Sequence, residues 1–297
     1  MPWYLFSFIA LGSFTIYALI TKWVLNLKIP ENRYLLFVFT GSLLGLLLIN
    51  FQSLRTFMSQ DLILSFLLWG VLAAVFSFIA NLSEVKAIKL APNTGYVQAV
   101  RSANMIPTLF LSVWLFNSSI SILKFLGVLV IVSGLMILII DVNKGERRKA
   151  NIVWVVLAII ALTALSAMSL SVKKMMTFGF EASQAVLVII FFATLFFLVN
   201  EIFFTSRERA VISKKPLILS IIIVSAIITS TMGDIWNFQA IKLSPNPGYS
   251  EAILGLGTVL VTVISPFLFK TNDGGEYNLK RWLSVGIVIL GVIFLVI

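Results

Sequence analysis

Ten stretches of this 297-residue chain are almost wholly apolar and long enough, or nearly so, to cross a bilayer. An apolar helix needs about 20 residues to span the hydrocarbon core. The stretches run approximately 3–24, 33–51, 62–90, 94–116, 121–141, 152–173, 182–204, 217–243, 248–269 and 281–297, the last being the shortest. Their apolar runs are continuous rather than alternating, which excludes a β-barrel. The connections are short and carry the helix-stopping residues, such as Pro30, Pro92-Asn93, Asn117-Ser118-Ser119 and Pro245-Asn246-Pro247. The longest polar connections, 142–151 and 205–216, leave no room for a soluble domain. The first stretch has no Lys or Arg before it and no small-residue cleavage site after it, so it reads as a span and not a removable signal.

Composition agrees. Sixty per cent of residues are hydrophobic and 11% are charged, against about 25% charged in soluble domains. A water-soluble enzyme, a nucleic-acid-binding protein and a disordered chain are all excluded. The chain has no Cys and no His, which removes thiolate nucleophiles, imidazole bases and the usual metal ligands. With no phosphate-cradling glycine motif, the expectation is a non-enzymatic protein without a catalytic residue, metal or cofactor.

The chain repeats itself. Ala87 to Tyr96 reads AIKLAPNTGY and Ala240 to Tyr249 reads AIKLSPNPGY, identical at eight of ten positions at an offset of 153. Asn81 falls on Asp234 and Gln98 on Glu251 at the same offset, and Lys22 falls on Lys173 at 151. Residues 1–141 form one five-span unit, 142–151 a basic linker and 152–297 the second unit. Five is odd, so the second unit enters the membrane facing the opposite way. An inverted-topology repeat is the signature of alternating-access transporters, whose site lies near the midplane between the halves. The expected fold is therefore an all-α integral membrane protein of ten helices around a central cavity.

The ten spans, the two five-helix units and the A-x-K-x-x-P junction between the third and fourth spans of each half resemble the EamA family of the drug/metabolite transporter superfamily. The resemblance implies a cavity lined by the first, third, fourth, sixth, eighth and ninth spans. It also implies transport of amino acids, other metabolites, nucleotide-linked sugars or drugs. Many members carry a Gly-Glu pair between the fourth and fifth spans of a half. Here that place holds Asn117-Ser118, and Glu276 lies in an enlarged loop of the second half, so no role passes to that Glu.

Sixteen Lys and Arg fall in the connections after odd-numbered spans (Lys22, Lys28, Arg33 and Arg147 among them), five fall on the opposite side (Arg55, Lys124, Lys173, Lys174 and Lys242), and Arg101 lies inside a span. The positive-inside rule puts the richer face in the cytoplasm and both termini outside; some members of the resembled family have both termini inside. The expected location is a plasma or inner membrane.

Ionisable groups within spans mark functional sites by default. Asn81 and Asp234 each lie eleven residues before a Pro, roughly 16 Å from a helix end at 1.5 Å per residue. Asn104 is at a similar depth, while Arg101 and Glu251 are shallower. Gln98, Arg101, Asn104, Thr108 and Ser112 form one face of the fourth span, and Glu251, Gly255, Thr258, Thr262 and Ser265 one face of the ninth. Ser77, Asn81 and Glu84 share a face of the third, and Ser230, Asp234 and Asn237 a face of the eighth. Tyr17, with Ser13 and Thr21, is offered by the first; Thr163, Ser166 and Lys173 by the sixth. The second, fifth, seventh and tenth spans carry almost no polar residue in mid-span, which fits a lipid-facing or scaffolding role.

The expected substrate-binding set is Tyr17, Asn81, Glu84, Gln98, Arg101, Asn104, Asp234, Asn237 and Glu251. Other roles compete at several of these. Asn81 and Asn104 would serve equally as inter-helix hydrogen-bond pairs. Glu84 would pair with Arg101 or Lys89 as a structural latch, and Glu251 would cap the start of the ninth span. Tyr96 and Tyr249 would be interfacial anchors or gates, with Gly95 and Gly248 supplying a permissive backbone. Lys86, Lys89 and Lys242 would snorkel or gate.

The leading functional expectation is export of a small polar metabolite such as an amino acid by secondary transport. The substrate carboxylate would meet Arg101, and its amine would meet Asp234 or Glu251. Proton coupling would run through Asp234. The alternatives are multidrug or passive metabolite transport, or flipping of a lipid-linked head group. The partners expected are a small molecule, the bilayer and, if coupled, protons. Nucleic acid has no place, and no oligomer is required.

Overall fold

A computed structural model describes residues 1–27, 29–51, 62–91, 94–140, 152–204, 216–269 and 279–297. The described residues are predominantly helical, without strands. Eight helical segments among them are long and apolar enough to cross a membrane, and two shorter apolar helices, Ile122–Ile137 and Trp282–Val296, accompany them. The chain is a multi-pass membrane protein. Helices satisfy backbone donors and acceptors internally, which a span requires. Exposed Leu48, Trp114, Ile122 and Phe203 belong to its apolar outer surface. The expected connections at Pro92-Asn93, 142–151 and 205–215, with Lys28, Arg55, Arg147 and Glu276, lie outside the described residues.

In chain order the helices are α1 (Trp3–Asn26), α2 (Glu31–Asn50), α3 (Ile63–Leu90), α4 (Thr94–Ser102), α5 (Met105–Phe116), α6 (Ile122–Ile140), α7 (Val153–Met176), α8 (Ala182–Phe204), α9 (Pro216–Ser225), α10 (Thr231–Leu243), α11 (Pro247–Phe269) and α12 (Leu279–Val296). Two expected continuous stretches are interrupted, and both breaks have local causes. The fourth divides into α4 and α5 at Ala103–Asn104. Pro107 has no N–H for the carbonyl of Ala103 four residues back. The chain tightens there through Ala103 N to Val100 O, Asn104 N to Arg101 O and Ile106 N to Ala103 O, at 3.1, 3.0 and 3.0 Å. The eighth carries a π turn at Ala226–Ser230 between α9 and α10. Such widened turns recur at functional sites. Ser42 of α2 fills this one, donating to Ala226 O at 3.4 Å while its own carbonyl accepts from Thr231 Oγ1 at 3.4 Å.

The packing is reciprocal. α3 lies along α7, and α1 along α10; α2 pairs with α8, α5 with α11, and α6 with α12. α6 and α12 approach at Gly127 and Gly291. A Cβ on either would stand 2.7–2.8 Å from the other's carbonyl oxygen, so only glycine permits the contact. Small residues at such crossings are how helices associate without a hydrophobic driving force between them. The largest apolar cluster joins α2, α3, α7 and α8, with Phe66 stacked on Phe180 at 3.9 Å. A second joins α5, α6, α11 and α12 through Leu109, Ile131, Ile253 and Val288. Between the clusters, α1, α3, α4, α10 and α11 surround a cavity.

Candidate functional site

The cavity has a volume of about 150 Å³. A dry cavity of that size accommodates benzene, so a small metabolite fits here. Its wall takes in all nine residues singled out from the sequence: Tyr17, Asn81, Glu84, Gln98, Arg101, Asn104, Asp234, Asn237 and Glu251. Their functional role is taken up below.

Glu84 on α3 faces Arg101 on α4. The Glu84 Oε2 to Arg101 Nε distance is 2.9 Å, while Gln98 Nε2 donates to Glu84 Oε1 at 2.7 Å and Arg101 Nη1 donates to Gln98 Oε1 at 3.3 Å. The ring is not fully satisfied. Arg101 Nε is buried and held to the carboxylate by charge, without the alignment of a hydrogen bond, while the Arg101 side chain as a whole stays 36% exposed. Lys89, the other expected partner of Glu84, pairs instead with Glu31 at the start of α2.

Across the cavity, Glu251 on α11 accepts from Asn104 Nδ2 at 3.0 Å and from Ser169 Oγ on α7 at 2.7 Å. This corrects the capping role expected for Glu251: its side chain reaches across to two other helices. It also places Asn104 in an inter-helix pair, made possible because the break at Ala103–Asn104 frees its position from a straight helix. Ser166, one turn before Ser169, donates to the Asn104 carbonyl at 3.1 Å. Among the described residues Asn81 pairs within its own helix, its amide bonding Ser77 O at 2.9 Å.

Asp234 follows the π turn by one helical turn, and Ser230 hydrogen-bonds its carboxylate. Asn237 accepts from Ser250 Oγ at 3.3 Å. The Tyr17 hydroxyl joins Tyr34 and Thr21, which are themselves 2.6 Å apart. Ser102 and Thr258 meet at 2.8 Å, tying α4 to α11. Within the cavity wall stand three carboxylates, Glu84, Asp234 and Glu251, and two cations, Lys22 and Arg101. No cluster of three Asp or Glu fit to hold a metal occurs among the described residues.

The expected stripes are shortened. Thr108 and Ser112 lie below the break in fully packed surroundings, and Ser13, half-buried, and Thr163, exposed, bond their own helices among the described residues. Ser265 lies beyond the described side chains. Tyr96 and Tyr249 are buried, 6% and 1% exposed, so neither is an interfacial anchor. Tyr249 OH accepts from Ser121 N at 3.0 Å. Gly248 is not in the left-handed region. Glycine is needed because a Cβ would stand 2.6–2.8 Å from the backbone and Cβ of Leu109. Lys242 does not snorkel but donates to Phe180 O at 3.0 Å. The second and seventh stretches are not merely scaffolding either. Val38 and Phe39 of α2, and Val186, Ile189 and Ile190 of α8, supply an apolar part of the wall. Sequence reasoning passed over Ser169, although its i+3 spacing from Ser166 was visible.

The cavity is lopsided. It extends through Thr21 and Lys22 on α1 and Val85 and Ile88 on α3 toward one end of the bundle. Toward the other end its wall stops at Met168 on α7 and Phe238 on α10. That end is filled by Tyr249 and by Asn246, whose amide donates to Leu109 O at 3.2 Å.

No protein-family model and no curated protein matches the sequence. A solved crystal structure superposes with a TM-score of 0.69 over 98% of this chain and 94% of that one, at 14% sequence identity. The chain shares that protein's fold over essentially its whole length.

Proposed function

We propose that the protein is a secondary transporter of a small zwitterionic metabolite bearing an apolar side group, working by alternating access. In this reading the chain has ten spans, with α4–α5 and α9–α10 each making one broken span, arranged as two inverted five-helix units of the EamA type. The reciprocal packing supports it: an operation that exchanges the halves maps α3 against α7 onto α10 against α1, and maps α2–α8, α5–α11 and α6–α12 onto themselves. Inverted repeats hold their substrates at such an interface, near the midplane.

The observation that carries the substrate class is the placement of Arg101, its side chain 36% exposed, in the same wall as Asp234 and Glu251. Arg101 takes the substrate carboxylate, for which guanidinium has a matching fork. Glu84 already neutralises part of Arg101; Glu251 holds only neutral donors among the contacts described, and Asp234, hydrogen-bonded by Ser230, feels the Arg101 charge without pairing with it, so the ammonium goes to these two carboxylates. The apolar wall of Phe39, Ile189, Ile190 and Phe238 takes the side group. The open end lies with Lys22, on the face that the Lys and Arg count puts in the cytoplasm. A cavity loaded from there exports.

Three residue pairs related by the repeat exchange a carboxylate for an amide: Asn81 with Asp234, Glu84 with Asn237, and Gln98 with Glu251. Two of the three pairs are isosteric, so two similar half-sites carry carboxylate and amide at complementary places, one carboxylate in the first half and two in the second, an asymmetry that suits an asymmetric zwitterion.

A thermal-shift panel in detergent tests this, because a ligand at 100 times its Kd stabilises by about 2.7 kcal/mol. Amino acids with apolar side chains should raise the melting temperature, while their amides and N-acetyl derivatives should not. Stabilisation by simple hydrophobic cations, without the amino acids, would overturn the reading in favour of drug transport. Proteoliposome flux with and without a pH gradient then separates coupled from passive movement.

A further inference from the structure

Lys173 stands one turn before the end of α7. Its ammonium donates to three backbone carbonyls at the end of α10: Ile241 O at 2.8 Å, Lys242 O at 3.3 Å and Ser244 O at 2.9 Å. An ammonium has three donors, and all three are used. The acceptors are those that a helix end leaves without intrahelical partners, and they carry the negative end of its dipole. Lys242 reaches the other way, to Phe180 O in the turn after α7. Two lysines thus clasp α7 to α10 at the end the cavity does not reach.

The other half holds the same parts in a different arrangement. Lys22 at the end of α1 matches Lys173 at an offset of 151, and Ile88, Lys89 and Ala91 match Ile241, Lys242 and Ser244 at 153. Yet α7 and α10 pack together, whereas α1 and α3 make no comparable contact among the described residues. The cavity runs out between them, past Thr21, Lys22, Val85 and Ile88. Lys89, the counterpart of Lys242, holds Glu31. The two ends therefore differ: α7 and α10 are clasped by lysines, and α1 and α3 have no matching packing among the described residues.

We infer that Lys173 is the latch that shuts one mouth of the cavity, and that Lys22 is its counterpart, shutting the other mouth by docking on the carbonyls of Ile88, Lys89 and Ala91 in the opposite-facing state. The inference rests on the transporter reading, which gives that second state its use. Backbone carbonyls suit the purpose. They are fixed by the helix and need no second titrating partner, and the bonds given up at one mouth are regained by the counterpart lysine at the other. A latch of that kind biases a two-state equilibrium without locking it.

The absence of native Cys allows a direct test by single-cysteine labelling with a membrane-impermeant maleimide on the purified protein, without substrate. Ser244→Cys reports the latched end, where the native side chain is 3% exposed, and Ile88→Cys reports the open mouth. Ile88→Cys should label fast and Ser244→Cys slowly. Adding Lys173→Met should speed labelling at the Ser244 reporter at least tenfold, and Lys173→Arg, which keeps the donors, should leave it slow. Unchanged labelling in the Lys173→Met protein overturns the latch. Should that variant fail to fold, Lys22→Met carries the test with the opposite sign. Labelling at the Ile88 reporter should rise and at the Ser244 reporter fall, because the state that opens the latched end is lost; no change, or the reverse, overturns the proposal. Since no flux is read, the two ideas fail separately. A protein that transports with unmoved labelling loses the latch, and one that shows the labelling swap but moves no substrate loses the transport reading.

Discussion

Glu84 Oε2 lies 2.9 Å from Arg101 Nε, inside ion-pair distance, but the two are not aligned for a hydrogen bond. The charge of Arg101 is balanced while its side chain stays 36% exposed in the cavity wall, which is what a binding residue needs before its ligand arrives. Removing one member of a buried pair strands the other, at a cost of about 3–5 kcal/mol when both are fully desolvated. Arg101 is partly open to the cavity, so a loss of about 1–3 kcal/mol is expected for Arg101→Gln. Binding of carboxylate-bearing ligands should fall at least tenfold. The double variant Glu84→Gln/Arg101→Gln should recover stability without recovering binding. Thermal melting with and without ligand checks both, and recovery of binding would remove Arg101 from the site.

Asp234→Asn should fold normally, since its repeat counterpart Asn81 already carries the amide at the equivalent place. Proton-driven flux should be abolished and affinity for the substrate amine reduced at least tenfold. Counterflow and pH-gradient-driven uptake in proteoliposomes distinguish the two effects. Unaltered coupled flux would exclude Asp234 from the mechanism.

Ser169 donates to Glu251 at 2.7 Å from a different helix. Hydrogen bonds to charged groups contribute about 1.5–3 kcal/mol, so Ser169→Ala should destabilise the protein by an amount of that order and weaken ligand binding in parallel. Ser166→Ala, which loses a bond to the Asn104 carbonyl, should cost about 1 kcal/mol. Melting temperatures of the two variants, compared side by side, check the ranking.

Gly248→Ala should be destabilising by about 1–3 kcal/mol, because the new methyl meets Leu109 Cα and N at 2.7 and 2.8 Å and backbone cannot rotate away. Leu109→Ala in the same chain keeps the Cβ, Cα and N that the new methyl meets and should rescue nothing. A melting temperature equal to that of the native chain would show that the junction is looser than its packing indicates.

The cavity itself is testable by water access. Single cysteines at Asn81, Asp234 and Thr258, all in its wall, should react with a small polar thiol reagent. Leu46→Cys, buried in the apolar cluster, should not. Protection of all three wall positions would contradict a wet cavity.

Much of the architecture was legible because the bilayer leaves so few options. Continuous apolar runs must be helices, and Asp234, Arg101 and Glu251 within them had to face something other than lipid. The helix edges at 90, 182, 204 and 243 fell where the apolar runs ended. The breaks were harder to see. Pro107 was present in the sequence, but hydropathy does not register a missing N–H, so the fourth stretch read as one helix and its stripe was carried too far, to Thr108 and Ser112. The π turn at Ala226–Ser230 left no compositional mark at all.

By itself the sequence determined the membrane setting, the repeat and the nine polar positions that line the cavity, since each follows from solvent exclusion along a single helix or from identity between two segments. The tertiary structure alone decided partnership. Glu84 bonded to Gln98 and ion-paired with Arg101, Glu251 bonded to Asn104 and Ser169, and Lys173 spent on the end of α10 are contacts between segments up to 147 residues apart. Which donor reaches which carboxylate depends on how far each helix is displaced along its neighbour. That displacement is set by packing at Gly127, Gly248 and Gly291 and by the two helix breaks, and periodicity within one span carries no information about it.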